Sequence, residues 1–179
     1  MFREMRRRGQ SLGEEECRRI LEEGTHGVLA LSGDDGYPYA VPISYALSGN
    51  CLIFHSAVSG HKIDSIHRSD KASFAVVECD DVVPERYTTH YRSVIVFGRV
   101  RIAGDNEKLS AIRVLARRYA PDDTEKHREE YIRASWDHLA VLVMDIEHVS
   151  GKESGELAEM REKHCVRTGG MVSFPEEEV

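Results

Sequence analysis

No apolar run in this 179-residue chain approaches the roughly 20 residues that a helix needs to cross a bilayer. The N-terminus lacks the apolar core of a signal peptide. The expectation is a soluble, cytoplasmic protein with no membrane partner. Clustered positive charge is scarce too: the net charge is −7 and the pI about 5.7. Affinity for phosphate backbones rests on grouped lysine and arginine, so nucleic acid is not an expected partner. The one basic run, residues 3–8, is short and reads as a solvated arm. Cysteine is sparse, and Cys17, Cys51, Cys79 and Cys165 form no C-x-x-C pair. That spacing speaks against a disulfide framework or a zinc site. Cys17 and Cys51 sit in apolar patterns and read as small buried hydrophobes. No histidine pair has i, i+4 spacing with a third ligand, so no metal is expected. There is no G-x-S-x-G and no Ser or Cys with an evident base, so covalent hydrolysis is not expected either.

What is present suits one domain. Hydrophobic residues make up 41% of the chain, enough for a core. Ser11-Leu12-Gly13-Glu14 fits a capping box with Ser11 as N-cap, and Leu12, Cys17, Ile20 and Leu21 recur at near-helical spacing before Gly24. Residues 27–31 read as a strand, and Gly33-Asp34-Asp35-Gly36 as a hairpin turn. The strand over residues 37–47 carries Pro38 and Pro42, which mark an edge, a bulge or a ligand-facing rim. Ser48-Gly49-Asn50 turns into a third strand over residues 51–55. Further on, residues 72–79 read as a strand, 80–90 as a polar loop and 91–103 as a strand bent at Gly98. Asp105 is placed to cap a helix to Tyr119, ended by Pro121; a helical patch follows at 124–134, then a strand at 139–149. From Gly151 the periodicity fades. Residues 1–153 are expected to form one domain and 154–179 an extended or mobile C-terminal extension. The tight turns rule out parallel crossovers among the first three strands. The fold class expected is mainly β with peripheral helices: a split β-barrel of about six antiparallel strands.

The stretch Phe54-His55-Ser56-Ala57-Val58-Ser59-Gly60-His61-Lys62 concentrates the chemistry. A strand runs into a small-residue turn, and a helix then opens with Lys62. Free N–H groups and the helix dipole make such an end an anion site, and His61 and Lys62 add donors there.

Four stretches together carry a family likeness: Asp35-Gly36-Tyr37-Pro38-Tyr39 through Val41-Pro42-Ile43-Ser44-Tyr45; Phe54-His55-Ser56-Ala57 with Gly60-His61-Lys62; Tyr91-Arg92-Ser93-Val94-Ile95-Val96-Phe97-Gly98; and Ser150-Gly151-Lys152-Glu153. In order and spacing the chain resembles the FMN-binding split-barrel proteins related to pyridoxamine 5′-phosphate oxidase, most of all their nitroimidazole-resistance (Nim) branch. The resemblance implies a homodimer with FMN in a cleft between subunits. It puts Pro42, Ile43 and Ser44 along the flavin, His55, Ser56 and Ala57 beside its ribityl chain and phosphate, and His61 and Lys62 on the phosphate. Arg92 and Ser93 would flank the ring or come from the partner subunit. Lys152 competes with Arg92 for the reduced ring. The resemblance makes His55 the catalytic candidate and implies an oxidoreductase that takes electrons from a reduced nicotinamide to a small molecule such as a nitroaromatic. The rival reading is a flavin- or haem-binding module without turnover, in which His55 or His61 would be an axial ligand to haem.

Overall fold

Elements in chain order begin with α1 (Glu14–Glu23), which buries Cys17, Ile20 and Leu21 on one face. Strand β1 (His26–Ser32) alternates, with Gly27, Leu29 and Leu31 inward. The turn after it places Asp35 at φ 52° and Gly36 at φ 81°, a conformation that Asp and Gly tolerate. Strand β2 (Pro38–Ser44) follows, then β3 (Ala46–Ser48), β4 (Cys51–Ala57) and helix α2 (His61–Arg68). Two long strands, β5 (Lys71–Val83) and β6 (Thr88–Ile102), form a hairpin. Helices α3 (Asp105–Tyr119) and α4 (Glu125–Ser135) precede β7 (Leu139–Glu153), and α5 (Gly155–Thr168) ends the described chain. This computed structural model describes residues 2–168.

All seven strands join one antiparallel sheet in the order β2-β1-β5-β6-β7-β4-β3. Its two edge strands, β2 and β3, are consecutive in the chain and separated only by Tyr45. A sheet whose opposite edges are one residue apart has to curl, and the result is a split barrel. Pro38 and Pro42 lie on edge strand β2, where a missing N–H breaks no ladder on the open side. Inside the curl, Tyr45, Phe54 and Phe74 are fully buried and meet edge-on, with Phe74 centroids 4.8 Å from Tyr45 and 5.1 Å from Phe54. The Tyr45 hydroxyl donates to the Leu21 carbonyl at 2.8 Å, and burial raises its pKa.

A second apolar layer lies outside the barrel. Five consecutive residues of β7, Ala140–Met144, are buried, so this strand is covered on both faces. Ala140, Leu142 and Met144 belong to the barrel core, while Val141 and Val143 pack with Ile112, Leu115 and Ile132 of α3 and α4. Thr124 caps α4 by accepting from the His127 N–H at 3.2 Å.

Several expectations are corrected. The segment expected as one strand over 37–47 divides at Tyr45, so the sheet has seven strands where about six were expected. Residues 80–90 are not a loop. The β5–β6 ladder continues from Cys79↔Arg92 to Val83↔Thr88, and only Pro84–Arg86 and Tyr87 (φ 50°) turn. Polar side chains do not prevent pairing where both faces of a ribbon meet solvent, because the backbone groups still bond one another. Helices α1 and α3 start after Gly13 and Gly104, with no side-chain cap from Ser11 or Asp105; Ser11 instead forms a bridge with Lys152. Cys51 is only partly buried and donates to Asp145 Oδ1 at 3.2 Å. Of residues 154–179, expected as an extended or mobile extension, Gly155–Thr168 form α5, and 169–179 lie outside the described residues. The bend expected at Gly98 is present as a β-bulge between Phe97 and Gly98.

Candidate active site at the end of strand β4

Strand β4 is held against β7 through His55↔Val141 and Ala57↔Leu139. Its first half, Leu52, Ile53 and Phe54, is buried; then His55 and Ala57 are exposed and Ser56 partly so. The change comes where the strand leaves the core. Gly60, at φ 118°, lets the chain reverse into α2, which Ile63 and Ile66 anchor. No side chain caps α2, so its first N–H groups have no side-chain acceptor, and Asp64 is the one acid in that first turn.

Lys62 sits in that first turn, half-buried, and burial lowers its pKa. Among the described residues it makes no salt bridge. His55 faces the same region. Crowding by the surrounding protein and then the charge of Lys62 lower its pKa, which favours the neutral imidazole. His61 is differently engaged. Its ring stacks on Tyr39 with centroids 3.9 Å apart, and Nε2 lies 3.4 Å from an Asp34 carboxylate oxygen. Arg68, at the other end of α2, donates to the Gly33 carbonyl at 2.8 Å and to Asp34 at 2.6 Å. Both ends of α2 are thus tied to the β1–β2 turn, which sets the position of Lys62.

A cavity of about 520 Å³ opens between β4 and the α3–α4 pair. Ser44 and His55 lie on one wall, and Leu115, Tyr119, Tyr131 and Ile132 on the other. Tyr119 fixes the helical wall to the barrel: its hydroxyl accepts from the Tyr45 N–H at 3.1 Å and has the Thr25 and Tyr45 carbonyls within reach of its single proton. At the rim, His127 Nδ1 lies 2.8 Å from the Asp123 carboxylate.

The residues singled out in the sequence fall into two groups. Ser44 and His55 share the cavity, Ser56 and Ala57 lie at the same strand end, and Lys62 acts electrostatically on His55. Pro42 is exposed two residues before Ser44, while Ile43 packs against the barrel core. Arg92, Ser93 and Lys152 form a separate group, since Arg92 pairs with Glu153 and Ser93 with Lys152. Along β7, Lys152 is eleven residues from Val141, the partner of His55, or roughly 35 Å of strand. Arg92 serves a carboxylate cluster there. It donates to fully buried Glu153 at 3.2 Å and to Glu78 at 3.1 Å. Arg161 Nε lies 2.7 Å from the other Glu153 oxygen, an ionic contact without hydrogen-bond alignment. The α3–α4 wall was not legible as part of a site. Its one sequence signal is Asp123 and His127 at i, i+4 beside the capping Thr124.

The family model described as pyridoxamine 5′-phosphate oxidase matches residues 13–153. The chain belongs to this family. A curated relative, the uncharacterized protein RA0666 of Rhizobium meliloti (strain 1021), is 36% identical over 88 residues, covering 49% of this chain and 53% of that protein. The chain thus matches about half the length of that relative. Among solved structures, one from Bacteroides thetaiotaomicron named for 5-nitroimidazole antibiotic resistance superposes with a TM-score of 0.70 at 20% identity, over 80% of this chain and 86% of that one. A FAD-binding protein from Mesorhizobium loti gives a TM-score of 0.59 at 27% identity, over 82% of this chain and 98% of that one. The curled antiparallel sheet is therefore the split-barrel architecture of the pyridoxamine 5′-phosphate oxidase family. Among the described residues no helix is long and apolar enough to cross a membrane.

Proposed function

We propose that this member of the pyridoxamine 5′-phosphate oxidase family is a flavoprotein oxidoreductase that holds FMN with its phosphate at the β4–α2 turn. One observation carries the reading: Lys62, half-buried and without a salt-bridge partner among the described residues, stands in the uncapped first turn of α2 beside His55. A cation that burial leaves short of solvation gains from a dianionic group, and the open N–H groups at the helix end add donors. The donor set thus fits a phosphate. The Mesorhizobium loti protein named as FAD-binding supports a flavin, and the resemblance in the sequence favours FMN.

When bound, FMN supplies the redox chemistry, taking electrons from a reduced nicotinamide and passing them to a small acceptor such as a nitroaromatic. The chain's own contribution is placement. Lys62 and the helix end hold the phosphate, and Ser56 and Ala57 border the path from phosphate to ring. The lowered pKa of His55 keeps its imidazole neutral near pH 7 and able to accept or donate a hydrogen bond at the cavity wall. The distance between the His55 group and the Arg92–Ser93–Lys152 group supports a homodimer, in which the second group would meet the flavin of the partner subunit. Absorbance of the purified protein, before and after incubation with FMN, tests the reading. Flavin bands that stay with the protein through gel filtration are expected, and mass analysis of the released cofactor separates FMN from FAD. A protein that neither carries nor takes up flavin overturns it.

A further inference from the structure

We propose that the cavity between β4 and the α3–α4 pair binds a small aromatic acid, its carboxylate held by Arg128 at the rim and its ring by the apolar wall. The inference names the class of small molecule that enters the cleft, and it rests on reading the surroundings of His55 as the functional site. At about 520 Å³ the cavity falls in the range of roughly 300–1,000 Å³ found for small-molecule sites. Ile112, Leu115, Ala116, Ile132 and Leu139 make most of its wall apolar.

Charge is confined to one rim, where Arg128 and Asp123 line the cavity beside His127. Arg128 Nη1 donates to the Ala120 carbonyl at 2.9 Å and to the Asp123 carbonyl. Neutral carbonyls leave its charge in place, and among the described residues Arg128 makes no salt bridge. Asp123, the acid in the lining, is held elsewhere: its carboxylate contacts His127 Nδ1 at 2.8 Å and accepts from the Thr124 N–H at 2.7 Å, and the charge of Arg128 reaches it only through space. That contact orients the His127 ring at the cavity rim. One turn on, Tyr131 lines the same cavity and is 70% exposed, an aromatic face on which a ring can stack. Ser44 and His55, on the β4 side, offer neutral hydrogen-bonding groups to a polar substituent across the ring. The site therefore suits a flat ring with an acid at one end and a polar group at the other. A cationic ligand meets the charge of Arg128 at the rim.

Titration calorimetry with 4-nitrobenzoate tests this, with 4-nitrobenzyl alcohol and 4-nitrobenzylamine as neutral and cationic comparators. The protein is used as purified, and its flavin content is read separately by absorbance. Saturable binding of the acid is expected, about tenfold or more tighter than the alcohol, with the amine weakest. Arg128→Leu is expected to reduce the preference to near unity, and Arg128→Lys to keep part of it. Because Arg128 also ties the α3–α4 turn, the imidazole resonances of His127 in the unaltered protein give a second readout and are expected to shift as the acid saturates. Equal affinity for acid and alcohol, or unmoved His127 resonances at saturation, overturns the inference, as does displacement of bound flavin by the acid. A colourless protein that binds the acid with this preference supports the inference and removes only the flavin reading. A flavin-loaded protein that ignores the acid removes the inference alone.

Discussion

The Lys62 ammonium stands close enough to the His55 imidazole that its charge adds to crowding by the protein in lowering the imidazole's pKa. Folded His55 binds a proton less readily than in the unfolded chain, where imidazole titrates near 6.5. Between those two values the unfolded state carries more protons, so stability rises with pH. The contribution of His55 is complete above pH 6.5 and is lost as pH falls through 6.5 toward the folded value. An NMR titration of the imidazole is expected to give a midpoint below 6.5. In Lys62→Met the midpoint is expected to rise without reaching the free value, since crowding persists. A midpoint unmoved by that substitution would show that the two groups are not coupled.

Lys62→Ala is expected to weaken FMN retention by roughly tenfold to a hundredfold, the range for loss of one charge-assisted contact. His55→Ala is expected to keep more of the binding but lower turnover of a nitroaromatic with reduced nicotinamide. Equilibrium dialysis against FMN measures the first, and anaerobic loss of nitro absorbance the second. Wild-type behaviour in both variants would remove the β4–α2 turn from the site.

Arg92→Met is expected to act on stability first. Glu153 is fully buried, and Arg92 is one of two cations that face it. Burial of Arg92 works against its charge, but Glu78 and Glu153 outweigh it and raise the pKa. Removing one partner of a buried ion leaves that ion uncompensated, at about 3 kcal/mol. Urea unfolding should show this as a lower midpoint with an unchanged slope. An unchanged midpoint would mean that Arg161 alone satisfies Glu153.

Gly98→Ala tests the bulge. A Cβ at this position would stand 2.1 Å from the Asp145 carbonyl oxygen and 3.3 Å from the Met144 methyl carbon. The first contact is with backbone, which cannot rotate away, so β6 and β7 must separate locally. Overpacking of this kind costs typically about 1–3 kcal/mol. Thermal unfolding is expected to fall accordingly, and a variant as stable as the parent would show that the bulge tolerates a side chain.

Much of this fold was legible because its signals are local. The alternation of Gly27, Leu29 and Leu31, the tight turns at Asp35-Gly36 and Gly49, the edge prolines and the bend at Gly98 each follow from one stretch of backbone. The errors came where a local signal had competition from afar. Ser11 has the chemistry of an N-cap, but a bridge to Lys152 holds it outside α1. Residues 80–90 look like a loop by polarity, and the ladder to β6 makes them a ribbon. His61 stands beside Lys62 in the sequence, but its ring is engaged by Tyr39 and Asp34, more than twenty positions earlier.

The sequence by itself determined the strand–turn–helix at His55–Lys62, the antiparallel hairpins and the family, because these depend on neighbouring residues and on motif order. Tertiary structure alone decided which of those residues share a cavity. The curl of the sheet at Tyr45 brings β2 beside β4, and α3 and α4 fold back over Val141 and Val143 to place Asp123, His127 and Arg128 across from His55. Contacts between residues some seventy positions apart are set by how apolar faces pack in three dimensions, and no local pattern of side chains encodes that distance.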